Sequence, residues 1–408
     1  MKKVLSVALA SALAIGCLAG GATTAMADDA NTLKVGVLCC ATGWFSSFDA
    51  NNWAEVQIMA EKINNEGGIQ VGDEVYNVEL ILADGQSDAD GFATAAMDLI
   101  DKDVDYVIET NDFWCVGANE LLADAGIVTL SGYPDFAPGF WTDANGNVNE
   151  YLVSCCNGAA NDVIALFAQC KENYPDVQTV MFVPNDDGTQ AERYEYVKSV
   201  GESMGFTVLD DYVAYDSSNP DMTAISQKVI AADPDAIIGQ GVISTICMLH
   251  SAIQDVDPDM VTLASCGISG DICKSIIGDE SKCNNFMSTG PNPLDPSSNT
   301  DLMNELVAAL QEQYDDETAA NWAGNFANAL YELKYVLEQT GTIDGAAFLE
   351  YWLNAETIPT IYTDAAQLGG METFGLDANR MICNPTPITI LKDGESQFLG
   401  WFQYDAIK

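Results

Sequence analysis

The feature that most constrains this chain is a repeated alternation of short apolar strands with amphipathic helices. The strand predicted at 35–38 is followed by a helix that places Val56, Met59, Ala60 and Ile63 on one face. This helix is predicted to end at Gly67. More strands are expected at 78–82, 106–108 and 127–130, with helices at 88–101 and 116–125. Such alternation is typical of a parallel sheet covered by helices on both faces.

The same pattern starts again after 151–156. Strands are predicted at 180–183, 206–209, 236–238 and 260–264, separated by helices at 190–201, 222–232 and 243–254. The predicted fold class is therefore α/β, with two doubly wound parallel-sheet lobes joined by a multi-strand hinge. No low-complexity linker separates the lobes, and extended connections suit a hinge that opens and closes around a ligand.

The last part of the chain must return to one or both lobes. It has two predicted helices within 301–339 and closing strands near 385–391 and 398–404. We predict a first lobe formed by 31–153 plus about 286–360. The predicted second lobe is formed by 154–285 plus about 361–408.

The N-terminus has the pattern of a secretory signal peptide. Lys2 and Lys3 precede an apolar run, and Ala25-Met26-Ala27 matches a cleavage site. We therefore predict that residues 1–27 are a signal peptide and that the chain is exported to the periplasm or the outer face of the cytoplasmic membrane. An alternative interpretation makes Cys17 a lipid anchor. No later stretch is long and apolar enough to predict a membrane span.

The charge balance restricts the partners of the chain. There are 61 acidic and 15 basic side chains, for a formal net charge of −46. Phosphate contacts need Lys and Arg, so a nucleic acid partner is excluded and an anionic membrane surface is disfavoured. A solubility strategy or an acid-tolerant surface explains the charge, and selection for a cationic ligand is the alternative.

The sequence gives little support to an enzyme or to a cofactor. It contains one histidine, His250, and no G-x-S-x-G, P-loop or G-x-G-x-x-G motif. The absence of a C-x-x-C pair argues against a zinc site. We therefore predict a protein that is not an enzyme, with no cofactor and no metal.

The cysteines of an exported chain are expected to form some disulfides. We expect pairing among Cys39, Cys40, Cys155 and Cys156. A second pairing is expected among Cys266, Cys273 and Cys283. Buried unpaired thiols are one alternative for the two vicinal pairs, and a soft-metal site for an ion such as Cu(I) is another.

Several segments together resemble a known family. They are Lys34–Leu38 followed by Thr42-Gly43, the run Glu61-Lys62-Ile63-Asn64-Asn65-Glu66-Gly67-Gly68-Ile69, the segment 124–132, and Gly375–Arg380. They resemble the type I periplasmic solute-binding proteins of ABC importers, in the branch that binds branched-chain amino acids and amides. The resemblance implies capture of a small-molecule ligand by hinge closure and its delivery to an ABC permease. A sensing receptor of the same fold, working with a signalling partner, is the alternative.

Ligands of open α/β sheets lie beyond the carboxyl ends of the strands. The residues predicted to bind the ligand at these ends are Trp44, Phe45, Asn111, Trp114, Ser131, Gly132, Tyr133, Asp186, Thr189, Gln240 and Gly267. Hydroxyls, amides and aromatic rings in one cleft suit a small polar molecule with an apolar part.

The predicted site departs from the amino-acid-binding pattern at two places. Phe113 and Trp114 stand where small hydroxyl residues are common in relatives, and the expected second-lobe acid is missing near 266–267. Asp186 or Asp187 is a candidate replacement. We therefore predict an amino-acid-like, amide or aromatic or amine ligand. The alternative for the aromatic residues is that they pack in the hinge or the core.

Overall fold

The computed structural model describes residues 31–405 apart from 44, 111, 133–137, 144, 187, 217–218, 266–269, 291, 316–323 and 370–378. The predicted signal peptide and Cys17 lie outside these residues. Within them, no helix has the length and apolar character needed to cross a membrane.

The first sheet is built by the N-terminal part of the chain, as the alternating pattern predicts. Its strands are β1 (Asn31–Cys39), β2 (Ile69–Val71), β3 (Glu74–Asp84), β4 (Tyr106–Glu109), β5 (Val128–Ser131) and β6 (Leu152–Ser154). They lie in the order β2-β3-β1-β4-β5-β6, and only the β2–β3 pair is antiparallel. The helices are α1 (Ser46–Asn65), α2 (Ala89–Asp101), α3 (Asp112–Asp124) and the short α4 (Pro138–Trp141).

Local sequence explains how α2 begins and how closely it packs on the sheet. Asp88 caps α2 because its side chain accepts a hydrogen bond from the Gly91 amide at 2.8 Å. Gly36 of β1 lets α2 approach the sheet, since a Cβ there would lie 2.9 Å from Leu99 Cδ1. The helix and its strand therefore pack at a distance that a larger residue would not permit.

The second group of elements follows after residue 158. Its strands are β7 (Thr179–Val183), β8 (Thr207–Val208), β9 (Ala236–Gln240), β10 (Val261–Ser265) and β11 (Phe286–Ser288). Its helices are α5 (Ala159–Asn173), α6 (Gln190–Ser203), α7 (Met222–Ala232), α8 (Ile243–Gln254) and α9 (Gly270–Ile277).

The C-terminal part of the chain packs helices on the first lobe and adds two strands to the second sheet. It contains α10 (Asp301–Tyr314), α11 (Asn325–Thr340), α12 (Gly345–Asn354), β12 (Thr357–Ile358), β13 (Ala366–Gly369), β14 (Met381–Cys383), β15 (Thr386–Lys392) and β16 (Glu395–Phe402). α10 and α11 pack on α1, while β15 and β16 complete a seven-stranded sheet in the order β16-β15-β11-β10-β9-β7-β8. The domain boundaries near 286 and 360 stay predictions, and β11 belongs to the second sheet.

The connections between the sheets are held by a polar network. Asn157 follows β6, and its Oδ1 accepts a hydrogen bond from the Asn384 amide at 2.6 Å. Its Nδ2 donates to the Asn384 carbonyl at 2.9 Å. Arg380 donates from Nη1 to the Leu152 carbonyl at 3.1 Å. The Asn157 bonds join the crossover after β6 to the connection between β14 and β15, and the Arg380 bond joins β6 to the residue before β14. Together they hold the multi-strand hinge that the sequence predicts.

Candidate functional site

The carboxyl ends of β1, β4, β5 and β6 meet at one edge of the first sheet. Strand register pairs Glu109 with Ser131 and Ser131 with Ser154. Asp49 of α1 holds the adjoining loops because its carboxylate accepts from the Cys40 amide at 2.7 Å and from Thr110 Oγ1 at 2.6 Å. Burial raises the pKa of Asp49, although these hydrogen bonds oppose the shift. The start of each loop is therefore fixed by the helix beneath it.

Ser131 and Gly132 lie where the sequence predicts a ligand loop. Ser131 is fully buried, and its hydroxyl has no hydrogen-bond partner among the described residues. The Gly132 amide donates to the Glu109 carbonyl at 2.7 Å. A Cβ at Gly132 would lie 2.9 Å from Phe326 Cε1 of α11, so only glycine fits without displacing that ring. The neighbouring Tyr133 lies outside the described residues.

Two of the predicted aromatic residues of the first lobe are half-buried and pack against its core. α3 begins at Asp112, so Trp114 lies in its first turn rather than in a loop. The Trp114 ring stacks on Phe92 at a centroid distance of 5.9 Å and meets Phe45 edge-on at 5.6 Å. Trp114 and Phe45 therefore pack against the core, as the alternative for these rings expects. Trp44 and Asn111 lie outside the described residues.

The second-lobe edge is built around Gln240, the last residue of β9. Its carbonyl accepts from the Asn185 amide at 3.2 Å and from Tyr215 Oη at 2.8 Å. Gly241 has φ +105°, and a Cβ there would lie 2.6 Å from Asn185 Oδ1. The Gln240 side chain is 3% exposed, yet neither Nε2 nor Oε1 finds a hydrogen-bond partner in the part of the chain that the structure describes.

The other predicted second-lobe residues lie near this edge. Asp186 is exposed and accepts from Gln190 Nε2 at 2.6 Å, while Thr189 precedes the first turn of α6. Arg193 is buried and donates from Nη1 to Asn185 Oδ1 at 3.2 Å. Sequence reasoning missed Arg193, although its position four residues after Thr189 places it in the first turn of α6. Gly267 and Asp187 lie outside the described residues.

Sequence reasoning also missed Asp162, a buried acid in the first turn of α5. Its Oδ2 accepts from Thr289 Oγ1 at 2.8 Å and from Ser265 Oγ at 3.2 Å. Burial raises the pKa of Asp162 to about 7, and the two hydroxyls only partly offset this effect. Nothing in the local sequence marks Asp162, because its partners lie more than 100 residues away along the chain.

The disulfide predicted among Cys39, Cys40, Cys155 and Cys156 is wrong, since all four are buried free cysteines. β4 and β5 lie between β1 and β6, so the two vicinal pairs are three strand spacings apart. That distance is about 14 Å, beyond the roughly 7 Å that a disulfide can bridge between Cα atoms.

The remaining cysteine predictions have a mixed outcome. Cys283 is also free, which excludes its pairing with Cys266 or Cys273. The Cys266–Cys273 alternative lies outside the described residues. Burial raises the pKa of Cys40 to about 12 and holds Cys39 and Cys155 protonated. Among the described residues, no group of three or more His, Cys, Asp or Glu side chains is arranged to hold a metal ion.

His250, the single histidine of the sequence, is a buried residue of α8. Nδ1 lies 2.9 Å from Thr262 Oγ1, and Nε2 lies 2.9 Å from the Lys282 carbonyl. Burial lowers the pKa of His250 to about 4, which keeps the ring neutral at pH 7. The ring is therefore held by core hydrogen bonds.

Solved structures with the same fold cover almost the whole chain. A leucine-binding protein from Thermotoga maritima is 19% identical, with a TM-score of 0.71 over 91% of this chain and 99% of its own. A solute-binding protein from Rhodopseudomonas palustris in complex with 4-hydroxybenzoate is 16% identical, with a TM-score of 0.72 over 91% and 97%. A branched-chain amino acid transporter protein from Streptococcus pneumoniae in complex with isoleucine is 14% identical, with a TM-score of 0.67 over 92% and 100%.

Sequence comparison with curated proteins gives no significant match. The family model for periplasmic binding proteins, in contrast, matches residues 32–385. This match includes the strand ends described above and ends just before β15, so the last two strands of the second sheet lie beyond it. The chain therefore belongs to the periplasmic binding protein family.

Proposed function

We propose that this chain is the extracytoplasmic solute-binding component of an ABC importer. In this proposal, a small ligand enters between the lobes, hinge closure encloses it, and the closed form delivers it to a membrane permease. The chain is exported for this task, and it releases the ligand chemically unchanged.

The observation that carries this proposal is the buried side chain of Gln240, which has no hydrogen-bond partner among the residues that the structure describes. Buried polar groups are nearly always hydrogen-bonded, because each unsatisfied group costs about 1–3 kcal/mol. The Ser131 hydroxyl is a second such group, at the carboxyl edge of the other sheet. A polar ligand between the lobes would supply partners to both residues.

The proposed ligand is small, with polar groups and an apolar part. The relatives from R. palustris and S. pneumoniae are bound to 4-hydroxybenzoate and isoleucine, two molecules of this kind. We propose an amino-acid-like, amide, aromatic or amine ligand for this chain. The proposed binding residues are those predicted at the strand ends, with Gln240 and Ser131 as the two anchors.

A thermal-shift screen of residues 28–408 against a library of amino acids, amides, amines and aromatic acids tests this function. A compound at 100 times its Kd should stabilise the protein by about 2.7 kcal/mol. Gln240→Ala should weaken its binding at least tenfold, measured by calorimetry. The control Gln397→Ala changes an exposed residue of β16 and should bind like the wild type. A library in which no compound raises Tm would overturn the proposal.

A further inference from the structure

Two fully buried glutamates lie where α1 and α11 pack together. Glu55 of α1 and Glu332 of α11 are both 0% exposed. Both lie close enough to Tyr362, between β12 and β13, to raise the pKa of its phenol. A Cβ at Gly324, the residue before α11, would collide with the Tyr362 hydroxyl, so the start of this helix is held against the same side chain. The two carboxyls therefore belong to one buried cluster at the N-terminal half of α11.

No positive charge compensates these glutamates among the residues that the structure describes. Both oxygens of Glu55 and Oε2 of Glu332 have no hydrogen-bond partner there, and neither carboxyl forms an ion pair. The lysines of the two helices form ion pairs with other acids: Lys62 with Glu66 and Glu305, and Lys334 with Glu338. An uncompensated buried carboxylate is so costly that the group takes up a proton instead.

The other titratable side chains that face this cluster also supply no positive charge. They are Tyr314 at the end of α10, Tyr362, Cys155 and Cys156 after β6, and Glu109 at the end of β4. Titratable side chains of the other packed elements are engaged elsewhere: Lys34 of β1 with Lys102, Asp84 of β3 with Thr42, Tyr76 of β3 with Glu74, Tyr106 of β4 with Ile343, and Tyr351 of α12 with Tyr335. β2 carries no titratable side chain.

We propose that Glu55 and Glu332 form a proton lock, which holds α11 in place while both carboxyls are uncharged and which alkaline surroundings open. Nothing in the lock needs a ligand, so it goes beyond the proposed function. Glu332 lies beside the hinge, because Asn328 Nδ2 donates both to its Oε1 and to the Cys155 carbonyl, each at 2.6 Å. Asn328 Oδ1 accepts from the Ile361 amide at 2.9 Å. A charge on Glu332 would therefore arise next to the residue that joins the crossover after β6 to the segment after β12.

The direction of the pH dependence follows from burial. Burial raises the pKa of both carboxyls in the folded chain, and the Gly324 amide near Glu55 and the Asn328 amide near Glu332 only partly offset this effect. In the unfolded chain, glutamates titrate near their ordinary pKa of about 4.3. The uncharged carboxyls therefore stabilise the fold fully only below that pH, and this contribution is lost as the pH rises through the raised pKa values.

Glutamine variants test the lock, because glutamine has nearly the shape of glutamate and cannot ionise. Glu332→Gln keeps the oxygen that accepts from Asn328. At pH 8 its unfolding equilibrium constant should be smaller than that of the wild type by a factor of about ten or more, and at pH 4.5 the two should agree within about twofold. Glu55→Gln should behave in the same way. Glu61→Gln removes the same charge from an exposed position of α1 and should show no such gain at pH 8.

Hydrogen exchange tests whether the lock acts on the hinge. At pH 9, the Ile361 amide should exchange about tenfold faster or more in the wild type than in Glu332→Gln, because a charged Glu332 disturbs the Asn328 side chain that holds this amide. At pH 6, where the wild-type carboxyl is uncharged, the two proteins should exchange at the same rate. Equal exchange at pH 9 would overturn the role in the hinge.

Two further results would overturn the lock itself. One is a stability of both glutamine variants that is equal to or below that of the wild type at every pH. The other is a carbon NMR spectrum of the wild type at pH 7, labelled in the glutamate side-chain carboxyls, in which every glutamate is ionised. The NMR measurement does not depend on whether the variants fold. None of these measurements uses a ligand, so failure of the proposed function would leave the lock untouched, and the reverse also holds.

Discussion

Single buried polar side chains hold the loop starts at both sheet edges. Asp49 fixes the loops after β1 and β4, and Asp162 bonds to residues that follow or end β10 and β11. Each acid accepts from uncharged donors, so desolvation raises its pKa. Burial of these carboxylates therefore costs folding free energy. In return, each carboxylate holds several segments of the chain together.

Trp114 gives the clearest prediction for a single residue. Trp114→Ala removes a ring that packs between Phe92 and Phe45. We expect a loss of about 2 kcal/mol in the free energy of unfolding, less than for a fully buried tryptophan because the side chain is partly exposed. Urea unfolding measures this loss, and Trp114→Phe should retain most of the stability. Unchanged stability in Trp114→Ala would contradict the packing role and favour a ring that contacts ligand.

Whether a single site residue could be predicted depended on how far along the chain its partners lie. Ser131 and Gln240 follow apolar strands, so the strand pattern places them at the sheet edge. Asp162 is defined by partners on β10 and after β11, which no local pattern contains. The disulfide prediction failed because it assumed that the two cysteine pairs, each at the end of a strand, lie next to each other. The strand order, which the sequence does not reveal, separates them.

At the level of elements, the N-terminal half of α11 joins the hinge to the first lobe. Asn328 donates from Nδ2 to the Cys155 carbonyl at 2.6 Å and to Glu332 Oε1 at 2.6 Å. Its Oδ1 accepts from the Ile361 amide at 2.9 Å. Burial raises the pKa of Glu332, and the Asn328 bond only partly offsets this. One amide thus connects the crossover after β6, the helix and the segment after β12.

Asn328→Ala should therefore be strongly destabilising. It leaves the Ile361 amide, the Cys155 carbonyl and the Glu332 carboxyl without their buried partner, and we expect a loss of about 2–4 kcal/mol. Thermal and urea unfolding measure the effect. Asn354→Ala, which changes an exposed residue at the end of α12, should cost less than about 0.5 kcal/mol. Equal stability of the two variants would refute a structural role for Asn328.

The elements differ in how well the sequence predicts them. The helices and parallel strands predicted up to residue 264 have strong periodicity, and their existence was confirmed, whereas α4 and β6 were not predicted. The three-stranded sheet β12-β13-β14 and the helices α9 and α12 were not predicted. Strands of two to four residues carry too few side chains for a period to be recognised, and their pairing is decided by the tertiary structure.

For the whole molecule, the order of elements predicted the fold class and the crossovers predicted a hinge. The net charge of −46 predicts that nucleic acid is not a partner, but it does not identify a ligand. In the proposed function, ligand selectivity depends on a few side chains at the two sheet edges, and the neighbours of these side chains are set by strand order. The fold was therefore more predictable than the site.

The central claim is that this chain closes around a small ligand. Small-angle X-ray scattering of residues 28–408, with and without a saturating compound from the screen, tests it most directly. Two lobes that close on a hinge should give a smaller radius of gyration in the bound state. At a compound concentration near the wild-type Kd, Gln240→Ala should keep a scattering profile close to that of the ligand-free protein. Identical profiles for the free and saturated wild-type protein would contradict the account.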